Sequence, residues 1–167
     1  MGRTREHKTM QRRFGPFVAA NRSEYWHHFD LRPIDDLDDE AFAYILTGTG
    51  LKGITMLDLN ETEITNESIR LLAGLEYVKE LRAKGCRRLD NGCIKYLGQI
   101  RELEFLHLNG TGVTIDGLLQ LRSPASLKTL LFQAGDPGSI NQKMLQLRNL
   151  FPGCEFVVNS KPYDFSA

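Results

Sequence analysis

The sequence predicts an α/β fold: a short solenoid of about five repeated units, with a curved parallel sheet on the concave face and helices on the convex face. Three observations predict it. The first is one stretch, Ile54 to Leu72, in which Leu57 and Leu59 alternate as in a strand and Thr62 and Ile64 turn inward. In the second half of that stretch Thr65 suits a helix N-cap, with Ile69 and Leu72 at helical spacing behind it. The second observation is recurrence: Leu57 is followed by Leu81, Leu106 and Leu130 at intervals of 24, 25 and 24 residues. The third is that each recurrence brings back the same strand, inward turn and helix.

A period of 20–29 residues carrying this pattern is that of a leucine-rich repeat. The chain of 167 residues is one domain's worth, and at 41% hydrophobic it can bury a core. Formal net charge is zero, so general attraction to nucleic acid or membranes is not implied. Charge is nonetheless uneven. Residues 1–22 hold six Lys/Arg and one acid, net +5, while residues 23–63 hold ten acids against Arg32 and Lys52, net −8. Three cysteines, an odd number, and the lack of a secretory apolar region point to a reducing compartment. The expected location is cytoplasmic. No apolar run approaches the roughly 20 residues that span a bilayer. Glycosylation sequons stand at Asn21, Asn60, Asn66 and Asn109, three of them inside repeats whose pattern uses Asn and Thr.

Residues 1–13, with Arg3, Arg5, Lys8, Arg12 and Arg13, read as a basic flexible arm. The arm could tether an acidic partner or nucleic acid, or be the remnant of an organelle-targeting segment. Residues 14–28 hold Phe14, Phe17, Val18, Tyr25 and Trp26, the aromatic cap that the open end of a repeat core needs. His27 and His28 are neighbours and on a strand would point to opposite faces, so no metal is expected. The repeat domain spans residues 29–158. Its first strand is Phe29-Asp30-Leu31, followed by a helix opened by Asp38, Asp39 and Glu40, acids that suit a helix N-terminus. Gly48-Thr49-Gly50-Leu51-Lys52-Gly53 matches the dinucleotide fingerprint G-x-G-x-x-G, but it follows a helix and leads into a strand, the reverse of what that motif requires.

The third unit runs from Val78 to Leu97 and the fourth from Leu103 to Leu121. In the third, Cys86 falls at the inward-turn position of Thr62 and Thr111, and Cys93 at the small helical position of Ser68 and Gly117. Both cysteines are explained by packing. The fifth unit starts at Leu127 and passes through a loop over Ala134 to Gly138. A helix from Ile140 to Leu150 and an edge strand from Phe151 to Val158 complete it. Residues 159–167 read as a loose tail.

The run L-x-L-x-x-T-x-I/V-T at Leu57–Thr65 and at Leu106–Thr114 resembles the cysteine-containing class of leucine-rich repeats, common in F-box partners and in bacterial repeat proteins. The third unit is similar more narrowly to the mitochondrial ATP synthase subunit s (factor B) and distal membrane arm assembly family. Val78, Leu81-Arg82, Cys86, Asp90, Cys93-Ile94 and Leu97 carry that likeness, with the Pro152-Gly153-Cys154-Glu155 ending. The first resemblance implies a repeat fold used as a binding scaffold. The second implies an alternative role in respiratory-complex assembly or ATP synthase coupling, in the mitochondrial matrix.

In each unit the strand leucines point to the core and the residues between them point outward. One exposed column is Asp30, Asp58, Arg82, His107 and Leu131. On one side of it lie His28, Met56, Glu80, Phe105 and Thr129, and on the other Arg32, Asn60, Lys84, Asn109 and Gln133. Solenoids bind partners on this face. The expected site therefore comprises Met56, Asp58, Asn60, Glu80, Arg82, Lys84, Phe105, His107, Asn109, Thr129, Leu131 and Gln133. Met56, Phe105 and Leu131 are apolar anchors inside a charged rim, the pattern by which protein interfaces concentrate binding energy. His107 could stand beside Asp58 or Glu80 across neighbouring strands. No nucleophile–base spacing, phosphate loop or metal cluster is present. The expectation is a non-catalytic interaction scaffold, a monomer on its own, with one protein partner and no cofactor or small-molecule substrate. Nucleic-acid binding through the basic arm is the third reading.

Overall fold

The computed structural model describes residues 2–122, 125–136 and 139–166. Seven strands form one sheet in the order of the chain. They are β1 (Tyr25–Asp30), β2 (Gly53–Asp58), β3 (Tyr77–Arg82), β4 (Phe105–His107), β5 (Thr129–Phe132), β6 (Glu155–Val158) and β7 (Lys161–Pro162). The first six are parallel and β7 returns antiparallel to β6. Parallel neighbours need a crossover, and helices supply most of them. α2 (Asp39–Thr49), α3 (Asn66–Leu72), α4 (Ile94–Leu97), α5 (Ile115–Leu118) and α6 (Asn141–Leu150) follow β1 to β5 in turn.

The core lies between one sheet face and these helices. Leu57, Leu81, Leu106 and Leu130 from the strands, and Ile45, Ile69, Leu72, Leu97 and Leu118 from the helices, are fully buried. Thr62, Cys86 and Thr111 share the inward turn as expected. The Thr62 hydroxyl and the Cys86 thiol both donate to the Leu59 carbonyl, at 2.7 and 3.0 Å, and Thr111 donates to the Leu108 carbonyl at 2.7 Å. Ser68, Cys93 and Gly117 are buried at their common helical position. The glycine-rich run is a helix-to-strand turn: α2 ends at Thr49, Gly50 closes it in the left-handed conformation at φ 74°, and β2 begins at Gly53.

The helical layer is also stitched from unit to unit, which the sequence reading missed. The Asp39 carboxylate accepts from the backbone and hydroxyl of Thr65 (2.9 and 2.6 Å) and from those of Ser68 (3.2 and 2.5 Å). Asn66 reaches Asp90 in the next unit at 2.6 Å, and Asn91 holds Thr114 through two bonds of 2.9 Å. The starts of α3 and α5, and the turn at Asp90 that leads into α4, are thus held both by their own cap residue and by the unit before.

Four expectations need correction. Residues 1–13 are not a loose arm as far as they are described, because α1 runs from Gly2 to Ala20. Met10, Phe14 and Val18 recur every four residues and form one stripe, and Phe14 and Val18 are buried in the core beside α2. Placing a boundary at residue 13 cut this stripe in two. Val18→Ala should destabilise the fold by roughly 1–2 kcal/mol, as the loss of two buried methyl groups requires, whereas an undocked arm would show no change in urea unfolding. The first strand begins at Tyr25 rather than Phe29, so part of the expected cap is sheet. The tail is also ordered as far as Ser166. Asn159 and Ser160, both at positive φ, make the two-residue turn of a β6–β7 hairpin. Tyr163 and Phe165 then pack against the core, their rings 4.9 Å apart. Hence β6 is not the sheet edge. Of the expected loop over Ala134 to Gly138, residues 137 and 138 lie outside the described part.

Candidate functional site

The sheet register aligns the predicted columns. Met56, Glu80, Phe105 and Thr129 are cross-strand partners in turn, as are Asp58, Arg82, His107 and Leu131. Asp30 and His28 extend the two rows on β1. The turn residues Asn60, Lys84, Asn109 and Gln133 follow just beyond the strands.

The acidic end of this face is internally paired. Arg32 holds Asp30 at 2.7 Å and stands 3.4 Å from Asp58. The hydrogen bond from Arg32 holds the Asp30 carboxyl below its usual range, and Asp30 in turn raises the Arg32 guanidinium. Asp58 is 3% exposed and accepts from the backbone N–H of Asn60 at 3.1 Å. In the middle, Arg82 pairs with Glu80 at 3.3 Å and lies over the Phe105 ring, 5.4 Å from its centre. That is a cation–π distance. Phe105 meets the His107 ring edge-on, with centres 6.4 Å apart. Burial pushes the His107 imidazole toward its neutral form, and Lys84 and Arg82 add to this against the pull of Asp58. At neutral pH His107 is therefore an uncharged aromatic beside Phe105.

Met56, Phe105 and Leu131 are all half-buried, and Thr129 with them. The structure adds a residue that the sequence reading left out. Val157 of β6 is the cross-strand partner of Leu131, so the row His107, Leu131, Val157 continues the apolar strip across three strands. Its signal is the Phe156-Val157-Val158 run of the expected edge strand. Two predicted residues are engaged structurally. Asn60 accepts from the backbone N–H of Lys84 at 2.8 Å, and Asn109 reaches Ser160 at 3.4 Å. Lys84 and Gln133 are exposed.

The chain matches no protein-family model and no curated protein. What the face can do is therefore judged from its own chemistry.

The three thiols are poor nucleophiles. Burial raises all of them, Cys93 and Cys154 to about 12, and a thiol reacts as its thiolate. Among the described residues no group of three or more His, Cys, Asp or Glu side chains is placed to hold a metal ion. His27 and His28 are both exposed. No helix among the described residues is long and apolar enough to cross a membrane.

Proposed function

We propose that the protein is a non-catalytic protein–protein interaction scaffold of the leucine-rich-repeat type, and that it binds a protein partner on the helix-free, concave face of its sheet. The observation that carries this reading is the strip of Phe105, His107, Leu131 and Val157. It sits beside charged residues that are already paired with one another, Arg32 with Asp30 and Asp58, and Arg82 with Glu80. An aromatic anchor inside a polar rim concentrates binding energy. A partner covering the strip would gain apolar burial over charges that already have partners, and Lys84 at the exposed rim is left to pair with the partner or with solvent, since desolvating a lone charge is expensive. Arg82 also fixes the Phe105 ring in advance, which lowers the ordering cost of association.

Phe105→Ala should weaken the partner by about 2 kcal/mol, roughly 30-fold in Kd. The partner is first captured from native lysate on the wild-type protein. Isothermal titration of that purified partner with both proteins then gives the ratio, and an unchanged affinity retires Phe105 as an anchor.

A further inference from the structure

An open pocket of about 360 Å³, which the sequence reading did not foresee, lies at the carboxyl ends of β2 to β6. Its wall carries two cations, Lys84 and Arg87, and one anion, Glu61. All three are exposed, and among the described residues none is ion-paired. Elsewhere on the molecule Lys52, Lys79, Lys128 and Lys143 each hold a carboxylate within 4 Å.

The turns between strands and helices shape this pocket. Gly85 and Gly110, both at φ 72°, lie side by side in its lining. A side chain on Gly85 would run into the Glu61 carboxylate, and one on Gly110 would touch the Gly85 backbone at 3.4 Å. Glu61, Asn159 and Ser160 also line the pocket at positive φ. Glu61, Gly85 and Gly110 hold the same turn position in successive units, and Asn159 and Ser160 are the β6–β7 turn, so the five left-handed residues are turn residues that shape this depression. Lys84 and Asn109 belong both to this pocket and to the proposed binding face.

We infer that this pocket binds a single carboxylate of the partner protein, held by Lys84 and Arg87, while Glu61 excludes more highly charged anions. The inference rests on the reading of the adjoining face as a protein-binding surface and names the chemistry of what binds there. The lining carries net +1. A carboxylate neutralises it, and arginine presents a fork matched to carboxylate geometry. A phosphate dianion would overcharge the site and meet about twice the repulsion from Glu61 that a carboxylate meets.

The test needs no partner, so its failure and that of the face reading are distinguishable. The full chain, labelled with nitrogen-15, is titrated at low ionic strength with N-acetylglycine, N-acetylglutamate α-amide, N-acetylglycinamide and inorganic phosphate. Amide resonances of Gly85 and Gly110 report binding. The expected result is saturable shifts with the two carboxylates, with Kd near millimolar, and none with the neutral amide. The tighter of the two carboxylates tells whether a chain terminus or an acidic side chain is preferred. Lys84→Met and Arg87→Met should each weaken this at least threefold, and Glu61→Gln should admit phosphate. Equal shifts with the neutral amide, binding of phosphate alone by the wild type, no shifts at all, or unchanged binding in both cation variants would each overturn the inference.

Discussion

Leu59→Ala should destabilise the protein by about 2–5 kcal/mol, the range for opening a cavity at a leucine in a packed core. Leu59 is 0% exposed, and it follows β2 at the point where the chain turns inward. Its N–H donates to the Arg82 carbonyl at 2.8 Å, and its own carbonyl accepts from Thr62 and Cys86. The backbone is thus pinned on three sides and the site cannot easily collapse, which favours the upper part of the range. Urea unfolding at neutral pH measures this directly. For a chain of this size it corresponds to a loss in Tm of about 2–4 °C per kcal/mol. Phe105→Ala is the control. Phe105 is half-buried on the opposite face, so its loss should move stability by about 1 kcal/mol or less while weakening the partner. A Leu59→Ala protein as stable as wild type would contradict the packing described here.

Asp39→Ala should lose about 2–3 kcal/mol, because it removes the acceptor of the Thr65 N–H and of the Thr65 and Ser68 hydroxyls at the start of α3, leaving the Ser68 N–H only its bond to the Thr65 carbonyl. The effect has a pH signature. Burial raises the Asp39 carboxyl, but the hydrogen bonds from Ser68 and Thr65 outweigh it and hold the group below its usual value of 3.8. A carboxyl depressed by folding stabilises the protein fully above its unfolded-state pKa. That stability is lost as pH falls through the lower folded value. The gap between wild type and Asp39→Asn, measured by unfolding at a series of pH values, should therefore be constant above about pH 5 and shrink below pH 4. A gap independent of pH down to pH 2 would show that Asp39 acts through shape alone.

The parts of the fold written as side-chain periodicity were legible. The intervals from Leu57 to Leu130 predicted four strands and their cross-strand register, and with the register the two outward rows through Met56 and Asp58. The same logic explained Cys86 and Cys93 as packing residues. What escaped depends on contacts rather than on period. The stripe of Met10, Phe14 and Val18 was hidden among arginines that suggested a solvated arm. The β6–β7 hairpin turns on Asn159-Ser160, which lacks the glycine that usually marks such a turn, and Pro162 argued against a strand. The bonds from Asp39 to Thr65 and Ser68 join residues 26 and 29 positions apart, and only the stacking of units brings them together. On the candidate face the residue types could be listed from sequence. The pairing of Arg32 with two carboxylates, the Arg82–Phe105 contact and the pocket beside Lys84 could not.

The central claim is that the helix-free face, through Phe105, His107 and Leu131, is where a protein partner binds. Affinity capture from native lysate, using the wild type and the triple variant Phe105→Ala, His107→Ala, Leu131→Ser side by side, tests it most directly. Unfolding in urea first checks that the variant is folded. The account predicts one partner retained by the wild type and lost by the variant, with at least a hundredfold difference in Kd once that partner is purified. Retention of every partner by both proteins with equal affinity would contradict it, and would move binding to α1 or the helical surface.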